Sequence, residues 1–267
     1  MKYLQNVNQF KLVITLILGL FCNNIFAQQN VDIFTPNNQE KMYQNNVLIE
    51  LFSSEGCSSC PIADAFMQEV IHLSDSTTSP VYVIDYHVDY WNKSGWVDPF
   101  SDSLYTKKQM NYALKKAEKN LYTPMAFVNG GNAHAGADKK GISVEITQNL
   151  SKPNPNFLKL GVSAEQGEDS LIVAYRFWGP MDSLELNIAF VQREINSAVK
   201  GGENANQILH HHNICRKLIT APLVKSEGKT KIYVSPSINL DNFRIIGYVQ
   251  NPRTLKIHGV DQLTFRP

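Results

Sequence analysis

The feature that most constrains the fold is a pair of cysteines, Cys57-Ser58-Ser59-Cys60, at the junction of an apolar run and an amphipathic segment. The run Val47 to Phe52 (VLIELF) has the length and apolar character of a buried strand. Ser53-Ser54-Glu55-Gly56 turns the chain, and from Pro61 onward Ile62, Ala63, Phe66, Val70 and Leu73 recur near helical spacing. Pro61 suits the first helical turn, where its missing N–H leaves no bond unmade. Val81 to Val88 (VYVIDYHV) reads as the next strand. The order strand, helix, strand predicts two parallel strands joined by a crossover helix.

Further along, Asp89 to Ser103 is an aromatic-rich loop, followed by a helix expected over Leu104 to Lys119. A strand is expected over Met125 to Asn129, a hairpin turn at Gly130-Gly131, and a helix over Lys139 to Leu150. Ser151 to Asn156 (SKPNPN) has the composition of a linker. Beyond it the pattern changes to alternating or β-branched runs: Leu158–Ala164, Leu171–Phe177, Leu184–Gln192, Lys217–Val224, Lys231–Ser235, Arg244–Gln250 and Leu255–Phe265. Strands of that length between turn signals predict a β-sandwich or barrel. The expected fold class is an α/β thioredoxin-like domain over residues 46–151, then an all-β, sandwich-like C-terminal domain over residues 157–267.

Lys2 and Lys11 precede an apolar run from Leu12 to Phe21, and Ala27-Gln28 resembles a signal peptidase site, so residues 1–27 read as a signal peptide. The run falls short of the ~20 apolar residues a bilayer requires, and no membrane span is expected. A lipid anchor on Cys22 is the alternative, with Phe21 standing where a small residue is wanted. Cleavage removes two lysines and no acid, turning 25 basic and 24 acidic side chains into 23 and 24. That balance gives no electrostatic reason to expect nucleic acid or anionic lipid as a partner. A secreted or periplasmic location follows. Cleavage leaves Cys57, Cys60 and Cys215, which is one close pair and one leftover thiol.

A helix N-terminus presents unpaired N–H groups and a partial positive charge, which favour thiolate over thiol. Cys57 is placed to attack a substrate disulfide and Cys60 to resolve the mixed disulfide. A structural disulfide and half of a metal site are the competing readings. Zinc would want a second ligand pair, which the sequence lacks, and a bridge closing so short a loop removes little chain entropy. Thr123-Pro124 precedes a strand, where a cis proline would pack against the pair and Thr123 would offer backbone groups to an extended substrate. Glu50 is either a buried proton acceptor for the resolving thiol or a water-facing carboxylate. Tyr90, Trp91 and Trp96 either wall a groove beside the pair, with His87 or Asp89 supplying polarity, or cap the core. The expected site is thus Cys57 and Cys60 for catalysis and Thr123, Pro124, Trp91 and His87 for substrate, with no metal and no cofactor. In a strand, His210 and His212 would share a face, but no acid or cysteine at telling spacing joins them. Cys215 reads as a buried, inert thiol.

The stretch from Val47 through Gly56-Cys57-Ser58-Ser59-Cys60-Pro61 to Asp64, with His87-Val88-Asp89-Tyr90-Trp91, Gly95-Trp96, Asp98-Pro99-Phe100 and Tyr122-Thr123-Pro124, resembles a family of secreted bacterial thioredoxin-like proteins known mainly as a domain of unknown function. The resemblance runs from about residue 46 to 150, with a weaker echo in Gly202-Glu203-Asn204 and His211 to Arg216. It implies a thioredoxin-like fold with Cys57, Cys60 and Pro124 as matched positions, and brings no substrate with it. Ordinary thioredoxins carry Trp before the first cysteine, where this chain has Gly56. The residue after the proline, often Gln in the family, is Met125. The expected function is an exported thiol–disulfide oxidoreductase acting on protein or peptide disulfides. A non-catalytic binding scaffold with a structural disulfide and a metallochaperone are the alternatives.

Overall fold

A computed structural model of the chain describes residues 45–77, 79–164, 169–235 and 237–265. The expected signal peptide, its Ala27-Gln28 junction and Cys22 lie outside the described residues.

Strand β1 (Val47–Ser53) is buried along its whole length, which explains why its sequence is apolar on both faces. Leu48 and Phe52 enter one core with Tyr86, Tyr112, Met125 and Tyr248. Ile49 and Leu51 enter another with Ala63, Phe66 and Met67 of helix α1 (Cys60–Thr77). The crossover returns to β2 (Val81–His87), parallel to β1 in unbroken register from Val47↔Val81 to Ser53↔His87. Helix α2 (Ser103–Lys115) starts where the Asp102 side chain accepts from the Leu104 N–H. Strands β3 (Met125–Val128) and β4 (Ala133–Ala135) form the expected hairpin, with β3 antiparallel to β1. Gly130 there has φ +66°, and a Cβ would lie 1.9 Å from the Leu255 carbonyl oxygen, so the turn requires glycine. Helix α3 (Lys139–Ser151) follows.

The remaining strands are β5 (Phe157–Ala164), β6 (Ser170–Trp178), β7 (Glu185–Ala198), β8 (Ile208–Pro222), β9 (Glu227–Tyr233), β10 (Phe243–Gln250) and β11 (Ile257–Thr264). β5, β6 and β9 make a three-stranded sheet. Leu158, Leu160, Val173 and Phe177 from that sheet pack with Ile188, Ile245 and Val249. The other strands lie in one sheet with the order β11-β10-β7-β8-β2-β1-β3-β4. The joint is a parallel pairing of β2 with β8 at Asp85↔Ile214, supported by the Asn213 side-chain N–H to the Val83 carbonyl at 3.0 Å.

This topology overturns the expected fold class. The chain is not an α/β thioredoxin-like domain followed by a β-sandwich: it is strand-dominated, and a mixed eight-stranded sheet takes strands from both halves of the sequence. The local elements match their patterns, but hydrophobic periodicity carries no information about which strand takes the free edge of β2. The edge is taken by the middle of β8 at Asn213 and Ile214, at the end of a run with no apolar alternation (HHHN) that lies ahead of the expected strand Lys217–Val224.

Asn213 is buried with φ +54°, a region asparagine tolerates far better than alanine. Asn213→Ala removes the bond to Val83 and strains the backbone, so it is expected to lower stability by about 1–3 kcal/mol. Urea denaturation checks this: an unchanged midpoint would show that the joint does not depend on this side chain.

Candidate functional site

Cys57 and Cys60 are joined as a disulfide at the mouth of α1, with Cα atoms 5.5 Å apart. Backbone N–H groups of Cys57 and Cys60 bond to the carbonyls of Ser54 and Cys57, both at 3.2 Å, which winds the loop tightly into the helix. The Cys57 Sγ lies 3.4 Å from the Ser59 hydroxyl and 3.6 Å from the Thr123 carbonyl oxygen. The Thr123–Pro124 peptide bond is cis. Trp91 spans the site: its Nε1–H donates to the Thr123 hydroxyl at 2.7 Å, and a Cβ on Gly56 would come within 3.1 Å of the Trp91 Cβ. A side chain at position 56 would therefore crowd Trp91. Both cysteines are 1% exposed, while Ser58 and Ser59 face solvent.

The second half of the chain completes the site. Glu203 accepts from the Ser58 N–H at 2.9 Å and from the Ser58 hydroxyl at 2.6 Å, and these bonds hold its pKa below the usual carboxylate value. The Asn204 amide donates to the carbonyls of Glu55 and Cys57 at 2.8 and 3.0 Å. Gly202-Glu203-Asn204 thus clamps the loop that carries the cysteines.

Beneath the pair lies a buried polar cluster. Asp85 and His87 alternate on the face of β2 that meets α1; Glu55 and Asp98 come from loops, Asp64 from α1 and His211 from β8. His87 Nδ1 is 2.7 Å from Asp98 and Nε2 is 3.3 Å from Asp85. His211 Nε2 is 3.2 Å from Glu55 and Nδ1 is 3.4 Å from Asp64. Ser53 donates to the other Asp85 oxygen at 2.7 Å, and the Trp96 indole N–H donates to Glu55 at 2.6 Å. Burial alone would depress the His87 pKa, but the charges of Asp98 and Asp85 and hydrogen bonds to both hold it well above 6.5. Burial would raise Asp98; the His87 charge and bonds from His87 and two backbone N–H groups bring it down to about 2. Burial opposes charge on His211 as well, and bonds to Asp64 and Glu55 outweigh it and raise its pKa. For Asp64 burial wins, and its pKa is raised.

Of the expected site residues, Cys57, Cys60, Thr123, Pro124 and Trp91 do converge. His87 lies a layer below them, fully buried with both ring nitrogens on carboxylates, and faces no groove. Glu50 is buried, but on the face of β1 opposite α1 and the cysteines. There it accepts from Tyr112 and Tyr248 and pairs with Lys108 at 3.1 Å. His210 and His212 point away from the cluster; the neighbour between them, His211, enters it. Sequence reading assigned no role to Glu55, Asp64, Asp85, Asp98, His211, Glu203 or Asn204, although Asp64, Asp98, Glu203, Asn204 and His211 stand in the motifs that carry the family resemblance. A signal existed for Asp64, one helical turn from Cys60, and for Asp85, two residues before His87.

A disulfide at a helix mouth, over a buried histidine–carboxylate cluster and clamped by a loop from the second half of the chain, makes up the site. The chain belongs to the family described as "Protein of unknown function (DUF1223)", whose model matches residues 48–250. The match includes the Gly202-Glu203-Asn204 and His211 segments. Among solved structures, a crystal structure of a protein from Agrobacterium tumefaciens shares the fold, with TM-score 0.63 and 24% identity over 82% of this chain and 94% of that one. A domain of the outer membrane lipoprotein Omp28 from Porphyromonas gingivalis is far less similar, with TM-score 0.26 and 12% identity over 42% of this chain and 96% of that one. No curated protein matches the chain. No helix among the described residues is long and apolar enough to cross a membrane.

Cys215 is buried in the first core, and burial pushes its thiol pKa up to about 12. Thiolate is the species that alkylates, so iodoacetamide at pH 8 is expected to spare Cys215 in the native chain and label it in urea. Mass spectrometry reads the difference, and native labelling would contradict the burial.

Proposed function

We propose that the protein is a thiol–disulfide oxidoreductase that acts on protein or peptide disulfides through Cys57 and Cys60. The observation that carries this reading is the bonded pair at the amino end of α1, beside the Thr123 carbonyl. The positive end of the helix dipole there favours a thiolate at Cys57. In the reduced protein that thiolate attacks one sulfur of a substrate disulfide; the substrate S–S bond breaks and its other sulfur leaves as a thiolate and takes a proton. The Cys60 thiolate then attacks the Cys57 sulfur, releases the second substrate thiol, and leaves the pair oxidised by two electrons. Run backward, the same steps oxidise a substrate dithiol. Thr123 and Trp91 border the attacking sulfur and would hold the substrate chain. Lys2, Lys11 and the apolar run that ends at Phe21 support export to a secreted or periplasmic location, where disulfides persist.

One observation favours a second reading, an inert staple: both cysteines are 1% exposed. Exchange of a model peptide disulfide separates the two. Under the first reading Cys57→Ser abolishes exchange and Cys60→Ser accumulates a mixed disulfide, visible as added mass on Cys57. A staple would resist the glutathione pool, with a potential below about −300 mV, and neither variant would trap a partner.

Glu203 sharpens the expectation. Its carboxylate occupies the same positive helix end that would stabilise the Cys57 thiolate, so Glu203→Gln removes a competitor. The iodoacetamide rate of reduced Cys57 at pH 6 is expected to rise about two- to fivefold, the equivalent of ~0.3–1 kcal/mol. A rate that fell or stayed level would show that the carboxylate does not compete.

A further inference from the structure

We infer that Asp85, His87 and His211 form a binding site for a divalent first-row metal ion, with Asp64 at its edge beside His211 and zinc(II) as the best match to the donors. One ligand atom from each of Asp85, His87 and His211 lies within 4.8 Å of the others, and all three residues are buried. Ligands at ~2.0–2.1 Å in a tetrahedral zinc site stand about 3.3 Å apart. His87 Nε2 and Asp85 Oδ2 are already at 3.3 Å, and His211 Nδ1 and Asp64 Oδ2 at 3.4 Å.

Three observations point to an ion rather than to a closed set of ion pairs. The first is the orientation of the rings. His87 holds Asp98 through Nδ1, and His211 holds Glu55 through Nε2, which leaves Nε2 of His87 and Nδ1 of His211 turned toward the two aspartates. A carboxylate behind each imidazole is the arrangement that fixes the tautomer of metal-ligating histidines. The second is unmet bonding capacity: Asp64 Oδ1 has no hydrogen-bond partner, and His211 Nδ1 has only the long 3.4 Å ion pair with Asp64 Oδ2, although the residues are only 7% and 1% exposed. The third is charge. Glu55, Asp64, Asp85 and Asp98 are all buried, and among the described residues their ion pairs are made with the two histidines. Four buried carboxylates around two imidazoles make an acid-rich set, and buried negative charge calls for a cation. Donors of mixed imidazole and carboxylate type select zinc, iron or manganese over calcium.

Binding is balanced by proton release. His87 keeps its Nδ1–H for Asp98 and His211 keeps its Nε2–H for Glu55, while any proton on the opposite nitrogens leaves as the metal enters. The site lies directly beneath the cysteine loop, because Glu55 is two residues before Cys57 and Asp64 one helical turn after Cys60. It is also distinct from the exposed group of His72, Glu194 and His212, which could compete for added metal.

The test uses the full chain with the Cys57–Cys60 pair kept oxidised, so that no thiolate can bind metal and the outcome is independent of disulfide exchange. The chelator-stripped protein is titrated with zinc chloride, stoichiometry is read by native mass spectrometry, and the melting temperature is followed in parallel. One ion per chain and a higher melting temperature are expected for the wild type and for His212→Ala. Asp85→Asn and His211→Asn are expected to lose the ion, and Glu55→Gln to bind about 10–100-fold more weakly. Should the first two variants fail to fold, cobalt(II) added to the wild type gives a separate readout: visible d–d bands of a tetrahedral nitrogen–oxygen site. A folded wild type that binds no ion overturns the proposal, as does loss of the ion in His212→Ala alone.

Discussion

The parallel contact between β2 and β8 is the joint on which the rest of the molecule depends. It is short, with Asp85 opposite Ile214 and the Asn213 amide reaching the Val83 carbonyl. Parallel strands cannot be joined by a tight turn, so the contact closes a long loop whose entropic cost must be met by packing on both faces. One face supplies the core of Tyr86, Tyr105, Tyr248 and Cys215. On the other face, β8 delivers His211 to the carboxylates of Glu55 and Asp64. Fold and site are therefore made by the same contact.

The clamp on the cysteine loop has a similar logic. Asn204 satisfies two buried carbonyls of that loop, those of Glu55 and Cys57, and Glu203 meets the N–H of Ser58. Backbone groups at the start of a helix need partners, and here the partners come from almost 150 residues downstream. The conformation of the disulfide loop is thus a property of the whole chain and not of the motif alone.

Much of the local structure is legible in the sequence. The strand Val47–Ser53, the crossover helix from Cys60, the strand ending at His87 and the hairpin at Gly130-Gly131 follow from period, apolar runs and turn residues. Trp91 beside the cysteines is also legible, because loops that leave the same ends of parallel strands share an edge. The fold class is not, because it depends on which segment pairs with the edge of β2, and the segment that does so reads as polar. His210, His211 and His212 are indistinguishable as letters; only the register of β8 decides that His211 alone is buried among acids. Glu50 shows the reverse. An acid in an apolar strand looks paired with the cysteines until the two faces of β1 are told apart, whereupon it belongs with Tyr112, Tyr248 and Lys108.

Gly56 has an implication for how such a site can diversify. Because this position has no side chain, the backbone of the cysteine-bearing turn can lie against Trp91, an aromatic residue of a separate loop. The aromatic cover of the turn and the turn itself can thus vary independently: changing the loop around Trp91 would reshape what lies against Gly56 while leaving the helix mouth intact. In a protein whose cover and first cysteine are sequence neighbours, those two properties would be inherited together.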